Sequence, residues 1–259
     1  MAFDTLRLDR APNGVVTLTL ARPEKKNAIN RTMFDELLAV FREVNDSTSD
    51  RVLVVTGAGD AFCSGADLGQ RGEDTRHPTQ RLHWVGDIAL ALHRIQKPCI
   101  AKVNGVAAGA GMNLALGCDL IVASDTARFT EIFAKRGLSI DFGGSWLLPR
   151  LIGLHRAKEL AFFADIVSAK EAAELGLVNR VVPAAQLDAF VDDWANRLAA
   201  GAPIALAMTK RLLTNSFATS MDEALEAEGL AQSVNFYSED TVEAIKAFLE
   251  KREPKFKGR

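Results

Sequence analysis

Two stretches of this 259-residue chain are rich in the residue types that leave main-chain amides bare: 57–68, GAGDAFCSGADL, and 104–113, NGVAAGAGMN. Each follows a short apolar run, VLVV at 52–55 and CIAKV at 99–103. Such runs predict parallel strands buried on both faces. Ligands of open parallel sheets bind beyond the carboxyl ends of the strands, so the two turns point at one site. Glycine and alanine let backbone N–H groups come close to a ligand, and a turn that opens a helix adds the positive end of its dipole. Two N–H donors converging on one point form an oxyanion hole. Each turn alone also reads as a tight bend needing φ > 0; the pair, after adjacent strand signals, favours chemistry.

Other chemistries find less support. Gly109-Ala110-Gly111 sits near a helix start, but Leu114 stands where a dinucleotide fingerprint needs its third glycine, and no acidic residue follows in the expected context. Ser64, Ser145 and Cys63 are possible nucleophiles without a G-x-S-x-G elbow. His77, His83, His93 and His155 are scattered, and neither H-E-x-x-H nor C-x-x-C occurs, so no metal site is expected. Trp84, after a polar stretch, could line a pocket or the core.

The elements that would position the turns alternate. Gly14–Leu20 and Asp119–Ala123 read as strands beside the two apolar runs. Phe34, Leu37, Leu38, Phe41 and Val44 mark one apolar helix face, and Leu187, Phe190, Val191, Trp194 and Leu198 another. A helix is expected from about Arg81 to Ile95, after a mobile surface loop at 71–80. Ser168 with Glu171, and Ser220 with Glu223, have capping-box spacing, which predicts helix starts near Ala169 and Met221. A last helix is expected over Glu239–Glu250, followed by a basic tail, KREPKFKGR, expected to fray. Strand–helix alternation predicts an α/β core with a helical C-terminal region.

Composition agrees with a globular protein: 48% hydrophobic, 25% charged and a net charge of −2, without the basic excess that nucleic-acid binding needs. Three cysteines, an odd number, suit a reducing compartment. No apolar run is long enough to span a bilayer. The opening MAFDTLRLDRAPNG resembles neither a signal nor a transit peptide, so a cytoplasmic location is expected.

At the two turns the sequence resembles the enoyl-CoA hydratase/isomerase (crotonase) family. The resemblance runs through six ordered blocks: ARPEKKNAI (21–29), the two turns within 57–68 and 102–124, F-x-x-x-F-x-K-x-G-L-x-x-D-x-G-G-S-W-L-L-P-R (129–150), AAELGLVNRVVP (172–183) and AFLEKREPKFKGR (247–259). It implies a spiral of ββα units over residues 1–200 and a helical trimerisation region over 201–259. It also implies a homotrimer or dimer of trimers acting on acyl-CoA thioesters, with coenzyme A as part of the substrate and no separate cofactor. The thioester carbonyl would be held by the N–H groups of Ala66 and Ala110. Ala28, Asp67 and Leu68 match positions near the CoA moiety, Lys25 or Lys26 could reach its phosphates, and Phe248 and Lys251 match positions that contact the adenine from a neighbouring subunit.

Within the family, hydratases use two glutamates. This chain has Asn113 and Phe133 at the matching positions. An amide can only hydrogen-bond, and a phenyl ring cannot act as a base. Asp141 remains, just before Gly143-Gly144, where isomerase members carry a proton-shuttling acid. The run GLSIDFGGSWLLPRLIG (137–153) is most similar to the phenylacetate-pathway isomerase branch, which acts on a ring epoxide of phenylacetyl-CoA and moves double bonds in enoyl-CoAs. A carboxylate in an apolar pocket has its pKa raised and can take and return a proton; the alternative for Asp141 is a turn or N-cap residue. Asn113 could orient substrate or water, or pack in a helix. Glu131 could face the same pocket or solvent. Expected activity is isomerisation of an unsaturated acyl-CoA. The alternatives are enoyl-CoA hydration, with water held by Asn113 and another acid, and a CoA-ester- or RNA-binding protein without turnover.

Overall fold

The computed structural model describes residues 3–70 and 76–259. The chain begins with β1 (Leu6–Arg10), β2 (Val15–Leu20), α1 (Arg31–Asp46), β3 (Val52–Gly57) and β4 (Ala61–Cys63). It continues through α2 (Pro78–His93), β5 (Cys99–Val103), β6 (Val106–Ala108), α3 (Ala110–Leu116), β7 (Leu120–Ser124) and β8 (Arg128–Thr130). Then come α4 (Gly144–Ile152), α5 (Leu154–Phe163), β9 (Val167–Ser168), α6 (Ala169–Leu175), β10 (Arg180–Val182) and α7 (Leu187–Ala199). Three helices follow: α8 (Pro203–Asn215), α9 (Met221–Phe236) and α10 (Glu239–Glu250).

The strands form two sheets, one in the order β1-β2-β3-β5-β7-β10 and a smaller one in the order β4-β6-β8-β9. Successive strands alternate between them: β3 then β4, β5 then β6, β7 then β8, with helices between. This is the expected spiral of ββα units. In the larger sheet, β2, β3, β5, β7 and β10 are parallel, and only β1 runs antiparallel.

The apolar runs have the continuous character they do because the larger sheet is covered on both faces. Val52, Val54, Ile100 and Val122 meet Leu187, Val191 and Ala195 of α7. The alternate residues Leu53, Val55, Ala101 and Ile121 face the main core with Phe41, Phe62, Ile88 and Leu92. Both capping boxes are present, starting α6 at Ala169 and α9 at Met221.

Three expectations need correction. α2 starts at Pro78 and ends at His93 rather than spanning Arg81–Ile95, because proline is tolerated in a first helical turn. Residues 78–80 of the expected loop are therefore helical, and 71–75 lie outside the described residues. The two turns are not pure turns, since each contains a three-residue strand of the smaller sheet, β4 or β6. The C-terminal tail does not fray. Asp240, 4% exposed, accepts from Lys257 N at 2.6 Å and Gly258 N at 2.9 Å, and Arg51 Nη2 donates to Phe256 O at 3.4 Å. Among the described residues no helix is long and apolar enough to cross a membrane.

Candidate active site

The two turns are brought together by close backbone packing in which side chains would interfere. A Cβ on Gly65 (φ +96°) would lie 2.9 Å from Ala108 O and 3.8 Å from Ala110 N. One on Gly111 would lie 2.3 Å from Cys63 O. Two asparagines clamp the first turn. Asn27 Nδ2 donates to Ala58 O at 2.9 Å and Ala61 O at 2.8 Å, and Asn104 Nδ2 donates to Gly57 O at 3.0 Å and Gly59 O at 2.9 Å. Both asparagines lie inside the matched blocks; their clamping role left no signal in spacing, because it depends on where the chain returns.

Ala66 and Ala110 flank this contact. Ile29 N donates to Gly65 O and Asp67 N to Ile29 O, each at 2.8 Å, so the bridge at Ile29 uses the groups on either side of Ala66 and leaves its own N–H aside. Ala110 is the first residue of α3, where an amide has no intrahelical acceptor. Neither N–H has a protein acceptor among the described residues. Ala66 is exposed and Ala110 is buried, so the pair is open from one side.

Asp141 sits on a turn whose next two residues have positive φ, Phe142 at 50° and Gly143 at 82°. A left-handed phenylalanine is strained. It is held by burial and by stacking on Phe34, with ring centroids 6.2 Å apart. Trp84 packs edge-on against Phe34 at 5.4 Å, which joins it to this aromatic wall. Phe133 is 7% exposed, with ring atoms 3.5 Å from where a Gly109 Cβ would be.

Asn113, fully buried on α3, connects the acids. Its Nδ2 donates to Asp141 O at 2.9 Å and reaches Glu131 Oε2 at 3.5 Å. Gly144 is required beside it, since a Cβ there would lie 2.4 Å from both Nδ2 and Oδ1. Glu131 is 1% exposed, so it faces the interior and not solvent. Three oxygens of this cluster, Asn113 Oδ1, Glu131 Oε1 and Asp141 Oδ1, are buried without a hydrogen-bond partner. Burial raises the Asp141 pKa to about 6. Burial raises that of Glu131 to about 8, with the Asn113 amide opposing and the Asp141 charge adding.

The other candidate residues fall into two groups. Lys25, Lys26, Ala28, Asp67 and Leu68 share the joined segments 22–29 and 64–68. Lys26 is ion-paired with Asp60. Asp67 pairs with Arg22 at 2.9 Å, and Arg22 Nη1 donates to Ala28 O at 2.5 Å. Lys25 has no ion pair among the described residues, and Leu68 is 44% exposed. Phe248 lies exposed on α10, which packs mainly against α9, and Lys251 follows that helix as its C-cap. Cys63 is excluded as a nucleophile by full burial, which pushes its thiol up to about 12. No group of three or more His, Cys, Asp or Glu that could hold a metal occurs among the described residues.

Residues 10–259 match the family described as Enoyl-CoA hydratase/isomerase. The chain belongs to that family. It is 37% identical over 257 residues to a 1,2-epoxyphenylacetyl-CoA isomerase of Escherichia coli, covering 97% of this chain and 98% of that one. It is also 37% identical to a probable enoyl-CoA hydratase of Rhodobacter capsulatus, over the full length of both. Among solved structures, an enoyl-CoA hydratase from Bacillus anthracis superposes with a TM-score of 0.92 at 33% identity, covering 99% of this chain and 100% of that one. The crotonase fold is thus the fold of this enoyl-CoA hydratase/isomerase family member, and its relatives carry both isomerase and hydratase names.

Proposed function

We propose that this family member is an acyl-CoA isomerase that shifts a double bond, or opens a ring epoxide, in an unsaturated CoA thioester through an enolate. The observation that carries the proposal is Asp141: a carboxyl pushed up to about 6 by burial, beside an aromatic wall and with one oxygen unpartnered. In a 3-enoyl thioester, Asp141 removes the proton α to the carbonyl. Negative charge collects on the thioester oxygen, where the Ala66 and Ala110 amides receive it; each such donor is worth about 3–4 kcal/mol to the transition state. Asp141 then returns the proton to the γ carbon, leaving the double bond conjugated with the thioester. Asn113 fixes the turn by its bond to Asp141 O, and Phe133 keeps that wall dry.

Lys25, rather than the paired Lys26, is the better candidate for the CoA phosphates, beside Ala28, Asp67 and Leu68. Phe248 and Lys251 would act on the CoA of another subunit in a trimer. That assembly has support in the exposure of Phe217, Met221, Leu230, Val234 and Phe236 on and around α8 and α9, apolar surface of a kind that marks association. Sedimentation equilibrium tests it. Hydration is the second reading, favoured by the burial of Glu131 beside Asn113, which could hold water between them. Purified protein given 3-enoyl-CoA and crotonyl-CoA separates the two: growth of conjugated-thioester absorbance supports isomerisation, and its loss from crotonyl-CoA supports hydration. Tight acyl-CoA binding without turnover of either overturns both.

A further inference from the structure

The Asn113 cluster has a surplus of acceptors. Its buried oxygens without a partner are Asn113 Oδ1, Glu131 Oε1 and Asp141 Oδ1. The Asn113 amide group is its donor, already committed to Asp141 O at 2.9 Å and stretched to Glu131 Oε2 at 3.5 Å. An ionised carboxylate only accepts, whereas a protonated one adds an O–H donor. Buried acceptors left without a donor are costly. A proton on one carboxyl relieves this, and Glu131 is the more deeply buried of the two.

We propose that Glu131 is a positioning residue that stays a neutral carboxylic acid in the working enzyme and donates its O–H within the Asn113 cluster, leaving Asp141 the sole negative charge there. Asp141 then stays free to take the substrate proton while its neighbour holds the oxygens in place. Two carboxylates without a cation cannot both ionise cheaply in one buried site. The groups facing Glu131 fit this division: neutral Asn113 from α3, and Asp141 from the turn before α4, which is the one charge acting on it among the described residues. Burial displaces Glu131 further upward, to about 8, than Asp141, to about 6, in keeping with the proton sitting on Glu131. Environments that separate two acids in this way assign their roles.

The inference rests on Asp141 as the proton carrier, but its test needs no turnover. Infrared difference spectra of the full chain between about pH 7 and pH 9 report carboxyls still protonated at neutrality, where ordinary ones are ionised. The expected result is a carboxylic C=O band that disappears with a midpoint near 8 and is absent from Glu131→Gln. No such band, or one unchanged in that variant, overturns the proposal. If the variant fails to fold, the titration of the unaltered protein decides alone. In turnover, the unaltered protein should lose activity above about pH 8 as Glu131 ionises, whereas Glu131→Gln should lower kcat by less than about 10²-fold, with KM held and no such alkaline loss. A larger fall, in the range of a group that itself transfers the proton, contradicts positioning.

Discussion

Asp240 and the Asp141–Glu131 pair are buried acids treated in opposite ways. Both oxygens of Asp240 accept tail amides, from Lys257 and Gly258, and the tail end is further held by Arg259 O accepting from Glu239 N at 2.7 Å. Asp141 and Glu131 each keep a buried oxygen without a partner, and among the described residues no cation acts on either. Burying a carboxyl costs free energy in both places. Around Asp240 the backbone offsets that cost, and the result is structural. Around Asp141 the cost is left standing, and it appears as raised pKa values that suit proton transfer.

The contrast can be broken most sharply at Asp141. Asp141→Asn keeps the shape and removes the base, so isomerase kcat should fall by about 10²–10⁴-fold, with acyl-CoA binding retained in calorimetry. Removing an oxyanion donor should cost somewhat less. Ala110→Pro deletes an N–H at the first position of a helix, where proline is tolerated, and should lower kcat by about 10²–10³-fold.

The pH dependence follows from the same pair. Below about pH 6 the Asp141 base becomes protonated, so kcat/KM should fall about tenfold per pH unit. For stability the sign is opposite to that of an ion-paired acid. The folded chain holds the Glu131 proton up to about 8, while the unfolded chain releases it near 4.5. Stability is therefore full below about pH 4.5 as far as this group is concerned, and declines as pH rises toward 8. Urea titrations should show this slope weakened in Glu131→Gln. The smallest effect belongs to the satisfied acid: Asp240→Ala should lower stability by about 1–3 kcal/mol, as two tail amides lose their acceptor.

What the sequence reveals depends on how far each interaction reaches along the chain. The larger sheet was legible because Val52–Val55 and Cys99–Val103 are covered on both faces and so lack alternation. The smaller sheet was not, because β4, β6 and β8 have three residues each and β9 two, too few for a period to show. Ser168 and Ser220 announced their helices since a capping box is a local device. The clasp of Asp240 on Lys257 and Gly258 has no local pattern, and the tail's charge suggested solvent instead. Glu131 was ambiguous for a related reason: its direction is set by α3, eighteen residues upstream at Asn113.

The most direct test of the central claim is a crystal structure with an unsaturated acyl-CoA bound. The account predicts the thioester oxygen about 3 Å from both Ala66 N and Ala110 N, with the Asp141 carboxylate beside the carbons that lose and regain the proton. A thioester oxygen bound elsewhere, or an acyl chain out of reach of Asp141, would contradict it.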